Sequence, residues 1–262
     1  MARNRLRDLL YFIYERQLLA EIQRGPIPRH VGVIQDGNRR HSREAGLTNP
    51  REGYLLGALK TEEVLKWCVS LKIPIVTLWW LSTDNLSRDP TELTALLQVI
   101  EEKMVEWMNG GIVHQLRTRM RPIGQLERLP SSTLQILRRI ESETQHYDGL
   151  LLNVGVGYGG RHEIVDAVQH YLRDRFRRQE SLDTILQELS PEALEKFMYT
   201  NDCPDPDLII RTSGEIRLSG FMLWQSAYSE FYFCDANWPA FRKIDFLRAI
   251  RSYQRRRRRF GQ

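Results

Sequence analysis

Six short runs rich in β-branched and apolar residues alternate with amphipathic stretches along this chain of 262 residues. The runs span residues 30–36, 75–82, 119–124, 150–157, 207–213 and 231–235. The stretches between them, such as 55–71, 91–108, 132–142 and 163–176, have the periodicity of helices. Strands that alternate with helices in this way predict a single α/β domain, with a mainly parallel six-stranded sheet flanked by helices.

The N-terminal segment, residues 1–25, is predicted to form an amphipathic helix with Leu6, Leu10 and Ile13 on one side, and residues 26–262 to form the domain with its basic tail. We expect the apolar side to pack on the domain; the alternative is peripheral contact with a membrane surface. No apolar run approaches the ~18 residues of a membrane span. The three cysteines are scattered along the chain, which favours a reducing, cytoplasmic compartment over a disulfide framework.

The net charge of +5 is unevenly distributed, since residues 242–259 contain nine Lys or Arg and one Asp. A basic segment of this kind fits a solvated tail, a nucleic-acid patch or an anion clamp. No nucleic-acid-binding motif accompanies it, so we expect no nucleic-acid partner.

The first candidate anion site follows the first predicted strand, at residues 36–40. Asp36, Gly37 and Asn38 are residues that favour a turn. Arg39 and Arg40 follow them at a predicted helix start, where backbone N–H groups and guanidiniums can bind a phosphate. Asp36 would repel a bare diphosphate unless a divalent cation lay between them, and Mg²⁺ favours such oxygen ligands. The alternative is an ordinary turn with surface arginines.

A second candidate anion site lies within residues 211–230. Arg211, Arg217 and Ser219 could bind another diphosphate, and Glu230 could supply a second carboxylate to the metal. The alternative is that Arg217 pairs with Glu215 on the surface. Two anion sites and one metal site together describe an enzyme that joins two diphosphate substrates.

Gly155, Gly157 and Gly160 match the G-x-G-x-x-G pattern of dinucleotide-binding folds. Such a fold also needs an acidic residue about twenty positions further on, at the end of the next strand. No predicted strand occurs there. We therefore interpret these glycines as a tight turn between strand and helix.

Five motifs, in order along the chain, resemble those of the cis-prenyltransferases, the undecaprenyl diphosphate synthase family. They are HVGVIQDGNRR, LSTDNLSRD, NVGVGYGGRHEIVDAV, DLIIRTSGEIRLSGFMLWQSAYSEFYF and RRRRRFG. The resemblance implies a homodimeric, Mg²⁺-dependent enzyme that condenses isopentenyl diphosphate with an allylic diphosphate (geranyl, dimethylallyl or farnesyl) and forms a Z double bond.

The resemblance also implies roles for individual residues. Asp36 matches the catalytic, metal-binding aspartate, and Asn85 matches a residue implicated in proton removal. The positions that match substrate contacts are Gly37, Asn38, Arg39, Arg40, His41, Ser82, Thr83, Asp84, Leu86, Arg88, Arg211, Arg217, Leu218 and Ser219. Glu230 matches the second metal carboxylate, and Arg259 and Gly261 match a motif that reaches the neighbouring subunit's substrate.

Several residues depart from the pattern of the long-chain family members. Arg39 replaces a glycine, His41 a tryptophan, Tyr54 a histidine, Leu86 an aromatic residue and Ile216 a histidine.

Small residues of the long-chain members are replaced here by Trp79 and Trp80, of which we assign Trp80 to the hydrophobic tunnel. This change predicts a short product of farnesyl or neryl length. The alternatives are two core tryptophans, a long-chain polyprenyl diphosphate synthase and an irregular head-to-middle coupling enzyme. A non-catalytic partner subunit should lack Asp36.

Overall fold

The computed structural model describes residues 2–256, and within them six parallel strands form one sheet in the order β3-β4-β2-β1-β5-β6. The strands are β1 (His30–Ile34), β2 (Ile75–Ser82), β3 (Arg119–Ile123), β4 (Leu151–Tyr158), β5 (Leu208–Arg211) and β6 (Glu230–Phe233). The predicted α/β architecture is confirmed, and each observed strand overlaps one of the six predicted runs.

Helices cover both faces of the sheet. They are α1 (Ala2–Ile22), α2 (Asn38–Glu44), α3 (Pro50–Ser70), α4 (Pro90–Met108), α5 (Ile112–Gln115), α6 (Ser131–Thr144), α7 (Gly160–Arg177), α8 (Leu182–Glu188), α9 (Pro191–Glu195) and α10 (Lys243–Arg255). The larger apolar core joins one face of the sheet to α1, α3, α4, α6 and α10. A smaller cluster, which includes Tyr158, Phe221 and Met222, lies apart from it.

The long helix α4 begins where its capping residues require. The Asp89 carboxylate accepts hydrogen bonds from the backbone N–H groups of Thr91 and Glu92, at 2.9 and 3.2 Å, and Pro90 occupies the first turn. A side-chain cap satisfies N–H groups that have no partner within the helix, and proline loses nothing at that position. This start places one end of α4 beside the loop that follows β2.

The N-terminal helix α1 packs through a different side from the one predicted. Leu18 and Ile22 are buried in the core, where α1 contacts α10, whereas Leu10 and Ile13 are 59% and 44% exposed. The prediction that Leu10 and Ile13 form the packed side is therefore wrong. Over residues 2–256, no helix is long and apolar enough to cross a membrane.

Candidate active site

The loops after β1, β2 and β5 meet at the carboxyl edge of the sheet. In the strand register Ile34 of β1 lies beside both Trp79 of β2 and Arg211 of β5, so the three strands end close together. Ligands of parallel α/β sheets bind outside this edge, beside the point where the chain changes direction across the sheet. The loops here enclose a cavity of about 450 Å³, hereafter the diphosphate cavity.

Most of the predicted site residues line the diphosphate cavity. They are Asp36, Gly37, Asn38, Arg39, Arg40, Ser82, Asp84, Asn85, Arg88, Arg211, Arg217 and Ser219. The cavity is also lined by Gln35, Arg43 and Leu96, which were not predicted from the sequence. Arg43 follows Arg39 and Arg40 by one turn of α2, and this helical spacing is the signal that could have identified it.

Four predicted substrate contacts lie outside the lining of this cavity. Thr83 is buried beside His162, Leu86 packs against the larger core cluster, and Leu218 packs against the smaller one. His41, on α2, is partly exposed. Arg259 and Gly261 lie outside the residues that the structure describes.

Asp36 and Arg211 form an ion pair in the lining of the cavity. Arg211 Nη2 lies 2.7 Å from Asp36 Oδ2, and the Gly37 N–H donates to Asp36 Oδ1 at 2.7 Å. Partial burial acts to raise the pKa of Asp36, but hydrogen bonding and charge from Arg211 outweigh it, so the pKa is lowered. The carboxylate is therefore ionised at neutral pH, as a metal ligand must be.

Glycine is required at position 37 by the shape of the loop. The backbone there has φ 101°, and a Cβ would lie 2.4 Å from Oδ1 of Asn237. Residues with side chains are strained in that region of backbone space. The close turn presents the first N–H groups of α2 to the cavity.

Arg211 also organises the loop that follows β5. Its guanidinium donates to Ser219 Oγ at 2.9 Å and to the carbonyl of Arg217, while its side chain is only 4% exposed. The buried Nε has no hydrogen-bond partner within the described residues. The planar guanidinium of Arg211 thus holds Asp36 and residues 217–219 together.

Arg40, on α2, and Arg217, on the loop after β5, both line the cavity and share one carboxylate. Arg40 pairs with Glu215 at 3.1 Å and donates to the carbonyl of Ser213, and Arg217 also pairs with Glu215. Hydrogen bonds from these two arginines lower the pKa of Glu215. The surface pair of Arg217 and Glu215 is therefore present, but both guanidiniums still line the cavity and are half exposed.

Glu92 is a site-forming residue that the sequence analysis missed. Its carboxylate accepts from the Tyr54 hydroxyl at 2.7 Å and from Arg88 at 2.9 Å, and Arg39 lies 3.4 Å away. Burial, followed by the hydrogen bond to Glu92, raises the pKa of Tyr54 to about 12. Arg39 and Tyr54, two residues that depart from the long-chain pattern, thus belong to one network.

The two tryptophans of β2 belong to different aromatic groups. Trp79 stacks on Phe221, with ring centroids 5.4 Å apart, and donates from Nε1 to the carbonyl of Tyr158. Trp80 packs against Trp107 of α4, with centroids 5.7 Å apart. Successive strand residues point to opposite faces of a sheet, which explains the division.

Glu230 is not brought to the diphosphate cavity within this chain. It is the first residue of β6 and lies beside Leu208, at the amino ends of the strands, whereas Asp36 follows the carboxyl end of β1. Its carboxylate pairs with Arg256 at 2.6 Å. Within residues 2–256 no group of three or more His, Cys, Asp or Glu side chains is placed to hold a metal ion.

The turn between β4 and α7 serves close packing. The Gly160 N–H donates to the carbonyl of Gly220 at 2.8 Å, and a Cβ on Gly160 would lie 2.7 Å from that oxygen. Nearby, the buried Tyr158 hydroxyl accepts from the N–H of Met222 and bonds to Glu163. These contacts hold the segment that follows Ser219 in place. The close packing at Gly160 therefore helps to position the part of the cavity lining that contains Ser219.

The chain is similar in sequence to known prenyl diphosphate synthases. A family model described as putative undecaprenyl diphosphate synthase matches residues 34–261. The chain is 52% identical to (2Z,6E)-farnesyl diphosphate synthase of Thermobifida fusca, over 98% of each protein. It is 45% identical to tritrans,polycis-undecaprenyl-diphosphate synthase (geranylgeranyl-diphosphate specific) of Thermoplasma acidophilum, also over 98% of each.

A solved structure supports the same assignment. Lavandulyl diphosphate synthase from Lavandula x intermedia, in complex with dimethylallyl diphosphate, superposes with a TM-score of 0.83 at 31% identity, covering 90% of this chain and 99% of that one. The chain therefore belongs to the undecaprenyl diphosphate synthase family and is a cis-prenyltransferase. The sequence-based resemblance to this family is confirmed.

Proposed function

We propose that this enzyme condenses isopentenyl diphosphate with a short allylic diphosphate (geranyl, dimethylallyl or farnesyl) and releases a Z-prenyl diphosphate of farnesyl or neryl length. The observation that carries the short length is Trp80, whose ring lines an apolar pocket directly beside the diphosphate cavity. Six residues line both cavities: Gln35, Asn38, Tyr54, Trp79, Trp80 and Leu96. A prenyl chain whose diphosphate is bound among the arginines would enter this pocket.

The arginines supply two anion sites. We assign the allylic diphosphate to the loop and helix start that carry Arg39 and Arg40, and isopentenyl diphosphate to Arg211, Arg217 and Ser219. Guanidiniums bind phosphate oxygens through paired hydrogen bonds, and helix N-termini add the N–H groups of their first turn. Both groups line one cavity, so the reacting carbons of the two substrates can meet there.

Residues suited to Mg²⁺ are present beside these arginines. Asp36 offers an ionised carboxylate, and the buried Oδ1 of Asn38 has no hydrogen-bond partner within the part of the chain described. Magnesium is often held by one or two carboxylates together with substrate phosphates. When bound, it would neutralise charge on the departing diphosphate.

The chain's own side chains then account for the remaining chemistry. The allylic carbon–oxygen bond breaks, the double bond of isopentenyl diphosphate attacks the carbocation, and the adduct loses one proton. Arg39 and Arg40 stabilise the negative charge that develops on the leaving group. An amide is a weak base, so we assign Asn85 the orientation of the water or diphosphate oxygen that accepts the proton.

The length limit follows from the energetics of chain burial. Each five-carbon unit that enters an apolar pocket gains about 4 kcal/mol, at about 0.8 kcal/mol per CH₂. If the Trp80 ring occupies the space of the next five-carbon unit, that unit cannot be buried and its free-energy gain is lost. The two named relatives differ in product, so it is Trp80 in this chain that supports a short product.

Replacing Trp80 by Ala should lengthen the product by at least one five-carbon unit, because the pocket then accepts the next part of the chain. Trp67→Ala is the matched control, since Trp67 packs between Phe241 and Phe246 outside the pocket. Products made from geranyl diphosphate and excess isopentenyl diphosphate are sized by liquid chromatography and mass spectrometry. An unchanged length in Trp80→Ala would count against a role for this ring.

Removing divalent metal should abolish condensation. We expect incorporation of labelled isopentenyl diphosphate to fall to background in EDTA and to return when Mg²⁺ is added in excess, because the leaving group then regains its neutralising cation. Circular dichroism in EDTA serves as the control for folding. Full turnover in chelator would refute the metal assignment.

We further propose a homodimer in the cytoplasm. Glu230 begins the edge strand β6, so a role for its carboxylate at the metal would require a neighbouring subunit. Cys68, Cys203 and Cys234 are all unpaired, which suits a reducing compartment. Sedimentation equilibrium tests the dimer.

A further inference from the structure

A buried lysine lies in the wall of the apolar pocket. Lys103 of α4 is 6% exposed, and its Nζ lies 2.8 Å from a Glu106 oxygen and 3.2 Å from a Glu62 oxygen. The other α4 residues that line this pocket are Leu96, Val99 and Ile100. Charged groups are seldom buried unless they are paired, and Lys103 is paired with two carboxylates. Such a group is unusual in the lining of an apolar pocket.

Lys103 lies away from the diphosphate cavity. Leu96 lines both cavities, whereas Lys103 lines only the apolar pocket. Lys103 follows Leu96 by seven positions, which is about two helical turns or about 10 Å along the helix axis. A prenyl chain that enters past Leu96 and follows α4 passes Val99 and Ile100 before it reaches Lys103.

Glu62 connects this lysine to the tryptophan that packs behind Trp80. Its Oε1 accepts from Trp107 Nε1 at 3.0 Å as well as from Lys103. Trp107 is fully buried and packs edge-on against Trp80, at an interplanar angle of 64°. The carboxylate thereby holds both the charge and the second aromatic ring in place.

We infer that Lys103, Glu62 and Trp107 form a second barrier to chain elongation, behind Trp80, and that this charged floor fixes the upper limit of product length. The inference rests on the proposed short-chain function and deepens it. Hydrocarbon gains free energy when it replaces water on an apolar surface, but it offers no hydrogen bond to an ammonium group. A longer chain would have to separate Lys103 from its carboxylates, so elongation stops there.

The ammonium keeps its charge at this position. Burial acts to lower the pKa of Lys103, but the hydrogen bonds to Glu106 and Glu62 outweigh that effect and the pKa is raised. Lys103, whose side chain lines the pocket, therefore carries a positive charge rather than a neutral amine.

The test compares product lengths from geranyl diphosphate and excess isopentenyl diphosphate for the wild type, Trp80→Ala, and Trp80→Ala combined with Lys103→Met. We expect Trp80→Ala to add one or two five-carbon units and then stop. The double variant should add at least one unit more. Lys66→Met in the Trp80→Ala background is the matched control, because Lys66 is an exposed lysine of α3, and it should not change the length.

The outcomes separate this inference from the proposed function. Wild-type products of polyprenyl length would overturn both. Short wild-type products, with equal lengths for Trp80→Ala and the double variant, would overturn the charged floor alone. Should Lys103→Met fail to fold, Lys103→Gln in the same background removes the charge while keeping a hydrogen bond to Glu62, and the same lengthening is expected.

Discussion

Replacing Asp36 by Asn is expected to lower kcat about a thousandfold, the upper part of the range seen when one electrostatic contact to the reacting charge is removed. The amide keeps the size of the side chain but loses the charge that would hold a divalent cation against the leaving diphosphate. It also leaves Arg211 without the ionic partner that lies 2.7 Å away. Steady-state kinetics at saturating Mg²⁺ measure the effect.

The control for this variant is Asp148→Asn. Asp148 forms an ion pair of similar length with Arg117, at 2.8 Å, but both side chains are exposed and remote from the cavity. Exposed ion pairs contribute little to stability, so kcat and the unfolding temperature should remain unchanged. A loss of less than tenfold in Asp36→Asn, with the fold retained, would contradict the assignment of Asp36.

Replacing Arg211 by Lys should lower kcat/KM for isopentenyl diphosphate about a hundredfold. The single ammonium group of lysine cannot replace the Arg211 guanidinium, which contacts Asp36, Ser219 and the Arg217 carbonyl at the same time. Loss of two hydrogen bonds donated by the charged guanidinium costs about 3 kcal/mol, at about 1.5 kcal/mol each. Such a loss corresponds to a factor of about 100 in rate.

The measurement varies isopentenyl diphosphate at a fixed, saturating concentration of the allylic substrate. Arg117→Lys, in the exposed ion pair with Asp148, is the matched control and should behave as the wild type. Equal values of kcat/KM for Arg211→Lys and the control would show that Arg211 does not act at this substrate.

The strand-end loops were predictable because strand periodicity and turn chemistry are local properties. Asp36 ends one predicted run and Ser82 ends another, so a parallel sheet had to bring them to one edge. Glu230 was placed in the site as a carboxylate of the 211–230 segment and by its match to the family motif. It opens a strand instead of following one, and the sheet therefore carries it to the opposite edge.

Long-range pairings were not predictable in the same way. Glu92 contacts Tyr54 and Arg39 from more than 35 positions away, and nothing in the local pattern distinguishes it from an ordinary first-turn glutamate of a helix. The packed side of α1 was mispredicted for a related reason. Leu10 and Leu18 are both apolar, and only the position of α10 decides which of them is buried.

The contact with Glu92 defines where the Arg39 side chain lies. Its guanidinium lines the diphosphate cavity and rests at 3.4 Å from Glu92, while Arg88 is held more closely by the same carboxylate. A long, exposed contact of this kind is weak. Arg39 can therefore exchange Glu92 for a diphosphate oxygen at little cost, which fits the allylic role proposed for it.

The most direct test of the central claim is the identity of the wild-type product. The purified enzyme is incubated with Mg²⁺ and excess isopentenyl diphosphate, and with dimethylallyl, geranyl or farnesyl diphosphate in turn. Chain length is read by mass spectrometry and double-bond geometry by nuclear magnetic resonance. We predict a new Z double bond and a main product of neryl or farnesyl length. Products of undecaprenyl length from any of the three primers would contradict the account.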